Sequence, residues 1–271
     1  IAATNNSRKL LERLTAINVD LARPDQYGWT PLALARRSRS FEAKGYLEEY
    51  FARDAQLPSR WLDPGDVASL SESGLNITYI DRDVKAVLTS DKPLPAHLTE
   101  FYFEIRSVSA PEIKDDPKDF PIMAIGFCTL GAAGLEFPGW PPLKRDFSTR
   151  SWAWHGDDGG HFDGISPRGM DHGSRYRAGD TVGCGIDLEE GRMWFTLNGK
   201  RQEKEFLGVG GRLFPVVGLH GSVVLETRFA KPFFMDDGAE GADGCAKKGE
   251  TTETTNENAH DKSLENDSAH E

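Results

Sequence analysis

The amino-acid sequence predicts a mainly β protein, a bent antiparallel β-sandwich with a helical segment before it and a disordered tail after it. Short apolar runs between residues 76 and 229 alternate with polar residues and are separated by turn residues, a pattern typical of sandwiches. Residues 8–21 instead place apolar side chains at helical spacing. Beyond residue 238, aromatic and branched aliphatic side chains are almost missing, so the tail lacks the apolar surface needed to order itself.

Residues 1–53 are predicted to be helical. Within them, the motif DQYGWTPLALA at 25–35 combines three local signals: Gly28 permits a turn with positive φ, Thr30 is a plausible helix N-cap, and Pro31 fits the first helical position. A second helix is expected at about 41–53.

The motif at 25–35 resembles the opening of an ankyrin repeat, although Ala33 replaces the usual histidine. The resemblance implies the end of an ankyrin array, and about three repeats are needed for independent stability. We therefore expect the chain to be the C-terminal part of a larger protein. The alternatives are helices that cap the next domain or a generic helical hairpin.

The basic tract at 36–39 lies between the two predicted helices. A solvated helix end explains it more simply than a nuclear-localisation signal.

Residues 54–70 contain two prolines and Trp61 and are interpreted as a linker that leads into the next domain, residues 71–235. In this domain the segment at 101–106 alternates apolar and polar side chains with period two, as a strand does. The segment at 122–130 is almost continuously apolar, which is expected of a strand covered on both faces. Asn198-Gly199 is a strong signal for a hairpin.

Several longer motifs follow in a characteristic order, and together they are more specific than any one of them. They are FYFEIRSV (101–108), AIGFC (124–128), PGW (138–140), SWAWHGDDG (151–159), GDTVGCGID (179–187), MWFTLNGK (193–200), LFPVVGLHG (213–221) and RFAKPFF (228–234). The series resembles a SPRY (B30.2-like) domain of the Ran-binding-protein-M type. Trp152, Trp154 and Trp194 are expected to fill the core between its two sheets.

The resemblance implies a scaffold that recognises a short peptide or protein segment through loops at one end. Carried onto this chain, it implies a partner site that includes Arg82, Asp83, Thr129, Gly139, Trp140, Leu219, His220 and Gly221. Arg82 could pair with a carboxylate, and Trp140 could provide a flat apolar wall. Relatives of this type also imply a substrate-recruiting or scaffold role in a ubiquitin-ligase assembly. A charged insertion at 110–119 could border the partner site.

The residues give little support for an enzyme, and we expect no catalytic residue and no cofactor. Asp157 and Asp158 are adjacent, so on a strand they would point to opposite faces. A metal site of His155, Asp157 and His161 is possible, but hydrogen-bonded turn residues are the simpler interpretation, so no metal is expected. The alternative function is a carbohydrate-binding or hydrolytic β-sandwich.

The net charge of −11 is unevenly distributed: residues 236–271 hold 11 acidic and 3 basic residues. The remaining chain is nearly balanced, which argues against a nucleic-acid partner. The three cysteines are sparse and unclustered, and there is neither a secretory signal nor an apolar run of membrane-spanning length. These observations predict an intracellular protein, cytoplasmic or nuclear, with a protein or peptide partner and no membrane partner, and they leave its oligomeric state open.

Overall fold

The fold is built from two antiparallel sheets that pack face to face, with helices at the N-terminal side of the chain. The structure is a computed structural model. It describes residues 1–17, 19–21, 23, 25, 29–52, 56–63, 66–81, 83–108, 121–129, 135–142, 150–165 and 169–235. Gly28, Arg82, the insertion at 110–119 and the tail from residue 236, all singled out above, lie outside these residues.

Three helices and fourteen strands lie within the described residues. The helices are α1 (Arg8–Ala16), α2 (Pro31–Arg37) and α3 (Phe41–Ala52). The strands are β1 (Trp61–Leu62), β2 (Ser69–Leu70), β3 (Asn76–Tyr79), β4 (Ala86–Ser90), β5 (Glu100–Val108), β6 (Ile122–Cys128), β7 (Ser151–His155), β8 (Gly160–Phe162), β9 (Met170–His172), β10 (Thr181–Asp187), β11 (Arg192–Leu197), β12 (Lys200–Leu207), β13 (Phe214–His220) and β14 (Val223–Arg228).

The strands of the described residues divide equally between the two sheets. Sheet A has the order β1-β4-β13-β6-β7-β8-β9, and sheet B has the order β12-β11-β10-β5-β14-β3-β2. Since β13 belongs to sheet A and β14 to sheet B, the short turn between them crosses from one sheet to the other. None of the described helices is long and apolar enough to cross a membrane.

The core between the sheets follows the alternation in the sequence. Phe103 of β5 pairs with Cys184 of β10, which pairs in turn with Phe195 of β11, and all three are fully buried. Trp152 and Trp154 of β7 lie in the same cluster, as the sequence predicts. The two β7 tryptophans therefore contribute to one continuous apolar layer.

Trp194 is buried, with 7% of its surface exposed, but the expectation that it lies between the sheets is wrong. Its neighbours Met193 and Phe195 face the core, so Trp194 faces outward on sheet B. There its ring lies over Gly185 on the adjacent strand, and the Arg201 guanidinium stacks on it at 4.4 Å from the ring centroid.

The predicted linker contributes to the sandwich. Trp61 of β1 is 1% exposed and its indole N–H donates to Thr227 Oγ1 at 2.7 Å. Its ring packs against Phe103 and Phe229. The strand pairing thus already begins at Trp61, which pairs with Ser90 of β4.

The N-terminal helices have a small core of their own, formed by Leu11, Leu32, Ala35, Ala43 and Leu47 with a few neighbours. Helix α1 ends at Ala16 rather than extending to residue 21. Thr30 caps α2 as predicted, accepting a hydrogen bond from Ala33 N at 3.2 Å, and Pro31 is the first helical residue. The helices are real, but they do not by themselves show an ankyrin repeat.

The helical segment also contacts the sandwich. Trp29 packs against Gly210, and Lys44 of α3 forms an ion pair with Glu189, which follows β10. Arg36, expected to be a solvated residue, is instead 9% exposed and pairs with Glu48 of α3 at 3.1 Å. The described residues accordingly form one compact unit.

Candidate functional site

A cavity of about 300 Å³ opens beside the outer face of sheet A. Residues of five strands contribute to it, namely β6, β7, β8, β9 and β13, together with the residue before β4 and the turn at 156–158. A covering segment at 135–142 completes the wall. The cavity is lined by Lys85, Ile122, Phe137, Trp140, His155, Asp157, Asp158, Phe162, His172 and His220, and we call it the Trp140 cavity.

A tight turn places Trp140 at this cavity. Phe137-Pro138-Gly139-Trp140 is closed by a hydrogen bond from Trp140 N to Phe137 O at 3.1 Å, with Gly139 at φ +83°. Proline followed by a residue of positive φ is the pattern of a type II turn, which explains why Gly follows Pro here. Ser151 Oγ accepts from Gly139 N at 2.8 Å and anchors the turn on β7.

Aromatic and cationic groups surround the Trp140 ring, which is only partly exposed. The Lys85 ammonium lies 4.1 Å from its centroid, a cation–π contact, and also pairs with Glu136 at 3.5 Å. Phe137 packs against the ring on another side, with centroids 5.6 Å apart. Trp140 therefore offers a flat apolar surface that its neighbours hold in place.

His155 forms the floor of the Trp140 cavity. Its Nε2 is 2.7 Å from Pro138 O, and its ring stacks on Phe162 with centroids 4.1 Å apart. Burial lowers the pKa of His155 below its ordinary value, although the Pro138 carbonyl and the two neighbouring aspartates oppose this shift. The neutral ring thus donates its Nε2 proton to Pro138 and holds the covering segment on the sheet.

The Asp157-Asp158 turn brings two carboxylates to the cavity rim. Asp158 Oδ1 accepts from Gly160 N at 2.7 Å, as expected of a turn residue. One carboxylate oxygen of Asp157 is buried and accepts no hydrogen bond within the described residues. The pair lies in a turn rather than on a strand, which agrees with the interpretation of these aspartates as turn residues. With His155, their ligand atoms lie within 4.8 Å of one another.

His161, the third member of the possible metal set, does not join this cluster. Its ring stacks on Trp154 at 5.6 Å and meets Phe195 edge-on, so it lies in the interior of the sandwich. Histidine and aspartate are ligands that can hold a cation, and with His161 in the interior the described residues that could do so here are His155, Asp157 and Asp158.

The predicted site residues fall into three groups. Trp140 and His220 both line the Trp140 cavity. Asp83 and Gly221 lie beside it, in a loop and a turn that are joined by Asp81: Asp83 N donates to Asp81 Oδ1 at 2.8 Å, and Gly221 N donates to Asp81 O at 3.0 Å. The backbone N–H groups of Asp83 and Val84, which both donate to the Asp81 carboxylate, lower the pKa of Asp81, with a smaller effect from His220.

The other predicted residues have structural positions. Leu219 is fully buried in the core between the sheets, and Gly139 is buried in its turn. Thr129 does not join the site. It follows Cys128, the last residue of β6, which pairs with Phe214, whereas His220 pairs with Ile122, the first residue of β6. Seven residues of strand separate the two ends by about 20 Å. Thr129 is buried there and accepts from Arg150 N at 2.9 Å.

Sequence reasoning did not include Lys85, His155 or His172 in the site. Leu219 of β13 pairs with Ala86 of β4 in antiparallel register. The next residues along the two strands are therefore His220 and Lys85, which lie side by side. This register is the signal that would have found Lys85, but it requires the strand pairing to be known. An isolated lysine before a strand carries no such signal.

A comparison with protein families decides the nature of the sandwich. Residues 101–232 match the family model described as the SPRY domain. Residues 101–232 are a SPRY domain. SPRY domains are protein-interaction modules. This one contains the strands from β5 to β14 and therefore every lining residue of the Trp140 cavity except Lys85.

Relatives of known sequence are similar over about two thirds of the chain. Ran-binding protein 9 of Xenopus tropicalis is 31% identical over 189 residues, which are 66% of this chain and 32% of that protein. Human Ran-binding protein 9 is 30% identical over 194 residues, 68% of this chain and 24% of that protein. Ran-binding protein 10 of Danio rerio is 29% identical over 192 residues. The chain thus spans only about a quarter to a third of the length of these relatives.

Among solved structures, the SPRY domain of human HERC1 is similar with a TM-score of 0.45 and 15% sequence identity, covering 61% of this chain and 94% of that one. The PSpry domain of TRIM65 has a TM-score of 0.44 and 10% identity, covering 68% of this chain and 98% of that one.

Proposed function

We propose that this SPRY domain, of the Ran-binding-protein-M type, recognises a short peptide or protein segment at the Trp140 cavity and the adjoining loop and turn. The observation that carries the proposal is the meeting of three separate chain segments at one cavity: the turn with Trp140, Lys85 before β4, and the end of β13 at His220. A rigid scaffold that presents loops around an aromatic wall suits protein recognition.

The lining of the cavity describes the partner in outline. Trp140, Phe137 and Phe162 favour an apolar or aromatic side chain in the cavity. The buried Asp157 oxygen favours a hydrogen-bond donor beside that side chain, since an unsatisfied buried acceptor costs about 1–3 kcal/mol. Arg82 remains a sequence-based prediction for pairing with an acidic residue of the same partner.

Selection from a phage-displayed library of random 12-residue peptides tests the proposal. We expect Trp140→Ala and His220→Ala each to weaken the selected peptides at least tenfold, which corresponds to about 1.4 kcal/mol. Phe41→Ala is the matched control, because Phe41 is a helix residue 75% exposed and distant in sequence from the cavity. Unchanged affinities in both cavity variants, with unchanged melting temperatures, would move the partner site elsewhere.

A carbohydrate-binding or hydrolytic sandwich is the second candidate, favoured by the two carboxylates at the cavity rim. Carboxyl groups of retaining glycosidases are about 5–5.5 Å apart and those of inverting enzymes farther, so a pair within 4.8 Å fits neither well. A glycan array separates the candidates: a carbohydrate ligand that depends on Asp157 would replace the peptide proposal.

Two finer proposals rest on the resemblances in the sequence. The first is that the partner is recruited to a ubiquitin-ligase assembly, which co-purification of ligase subunits with the longer protein would test. The second is that helices α2 and α3 belong to an ankyrin repeat, supported by the Thr30 cap and the Pro31 start.

A further inference from the structure

A second and larger cavity lies between the helical segment and the sandwich. Its volume is about 530 Å³, within the range of about 300–1,000 Å³ typical of ligand sites. We call it the helix–sandwich cleft. It shares no residue with the Trp140 cavity, and its walls come from α2, α3, the segment after β4 and the turn before β13.

One part of the cleft is apolar. Leu32 of α2 and Tyr50 and Phe51 of α3 face Leu94 and Leu188 of the sandwich. Tyr50 and Phe51 are only partly buried, with ring centroids 5.2 Å apart in an edge-to-face arrangement. They offer a surface on which an apolar side chain of a ligand would remove further area from water.

The other part of the cleft is cationic. Arg36, Lys92 and Arg212 line it, against the single carboxylate of Asp20. Among the described residues, neither Lys92 nor Arg212 forms a salt bridge. Lys92 donates to the Gln56 side-chain oxygen, and Arg212 lies over the Phe214 ring at 5.7 Å. Glu48 pairs with Arg36, and Asp91 interacts electrostatically with Lys92. Arg212 is therefore the lining cation that has no carboxylate partner among the described residues.

Arg36 supplies the observation that points to a ligand. Its side chain is only 4% exposed, and one terminal nitrogen pairs with Glu48. Its Nε is buried and has no acceptor within the described part of the chain. A guanidinium presents five donors in a fixed plane and matches a carboxylate, so a donor without an acceptor in a cavity wall calls for an incoming oxygen.

We propose that the helix–sandwich cleft binds an acidic peptide segment of a partner protein. An Asp or Glu carboxylate of that segment meets Arg36, Lys92 and Arg212, and a neighbouring apolar side chain packs on Tyr50, Phe51 and Leu94. A small inorganic anion would use the cations alone, whereas the cleft has space and an apolar wall for several side chains. The complementarity of charge and of apolar surface together favours a peptide.

The same library of displayed 12-residue peptides tests this site independently of the Trp140 cavity. Peptides selected by the wild-type protein are sorted by their response to Arg212→Glu and to Trp140→Ala. We expect one class that loses at least tenfold in affinity with Arg212→Glu and is unaffected by Trp140→Ala. In this class, replacing the peptide's Asp or Glu by the amide should cause a similar loss.

Lys200→Glu is the matched control, since Lys200 is an exposed lysine on β12 that does not line the cleft. Arg36→Lys retains a cation beside Glu48 but removes Nε, and it should weaken the same peptides. Both the Arg212 and the Lys200 positions are exposed, so folding is preserved and checked by melting temperature. The proposal is overturned if no selected peptide responds to Arg212→Glu more than to Lys200→Glu, if the responding peptides contain no acidic residue, or if millimolar inorganic phosphate displaces them.

Discussion

Individual side chains show where sequence patterns determine a position and where they leave it open. Met193, Trp194 and Phe195 are three apolar residues in a row, so their sequence does not say which face of β11 is the core. The structure decides: Trp194 faces outward, where Gly185 leaves space for its ring. Arg36 is a comparable case, because a basic tract does not reveal that one of its arginines is buried and pairs with Glu48, twelve residues further along.

His155 gives a prediction for pH dependence. Because burial lowers its pKa in the folded protein, the unfolded chain takes up a proton first as pH falls below about 6.5. The contribution to stability is present above that pH and is lost as pH falls towards the lowered folded-state value. We expect the free energy of unfolding in urea to decrease between pH 7.5 and 5.5, by at most about 1.4 kcal/mol per pH unit from this group.

His155→Gln is the comparison, because glutamine keeps an N–H donor and does not titrate. Its free energy of unfolding should decrease less steeply over the same interval, whatever its absolute stability. Equal slopes for the two proteins would assign the pH dependence to other groups.

At the scale of elements, the positions of the strands in the sequence were easier to predict than the pairing of those strands in the sheets. The alternation at 101–106 and the apolar run at 122–130 identify β5 and β6 correctly, since β6 is covered on both faces. The candidate site was predicted from loops that follow strands. Such a loop lies at one end of the sandwich or at the other, depending on the direction in which its strand runs. Thr129 and His220 leave opposite ends of the paired strands β6 and β13, which only the register reveals.

The covering segment at 135–142 links sheet A to the candidate site. A Cβ added to Gly218 of β13 would lie 2.5 Å from Pro138 Cδ and 2.8 Å from a Phe137 ring carbon. We expect Gly218→Ala to displace the segment and with it Trp140, lowering the free energy of unfolding by about 1–3 kcal/mol. It should also weaken peptides that depend on Trp140, as measured by titration calorimetry.

Gly45→Ala is the control for that substitution, because Gly45 is an exposed residue of α3 and a Cβ there would meet no atom within 4 Å. It should leave peptide affinity unchanged and stabilise the protein slightly, since alanine is the better helix former. If Gly218→Ala behaved like Gly45→Ala in both measurements, the segment would not be held in place by its contact with β13.

For the whole molecule, the sequence predicted a helical segment and a sandwich but not how they contact each other. The contacts involve residues that look unremarkable in sequence: Trp29 in a turn motif, Gly210 in a glycine-rich loop, and the oppositely charged Lys44 and Glu189 far apart in the chain. Since no periodicity connects them, the helix–sandwich cleft could not be foreseen either.

A double-mutant cycle tests whether the two parts are packed tightly. A Cβ at Gly210 would lie 2.4 Å from the Trp29 ring, so Gly210→Ala should lower the free energy of unfolding by about 1–3 kcal/mol. When Trp29→Ala has already removed the ring, Gly210→Ala should change the free energy of unfolding by less than about 0.5 kcal/mol, because the added Cβ no longer clashes with the ring. The measurement is chemical unfolding of the four proteins, followed by circular dichroism of helix and sheet together.

Additive effects in the cycle would mean that Trp29 and Gly210 do not touch in solution. The cleft that depends on their contact would then not be preformed, and acidic peptides should lose their dependence on Arg212.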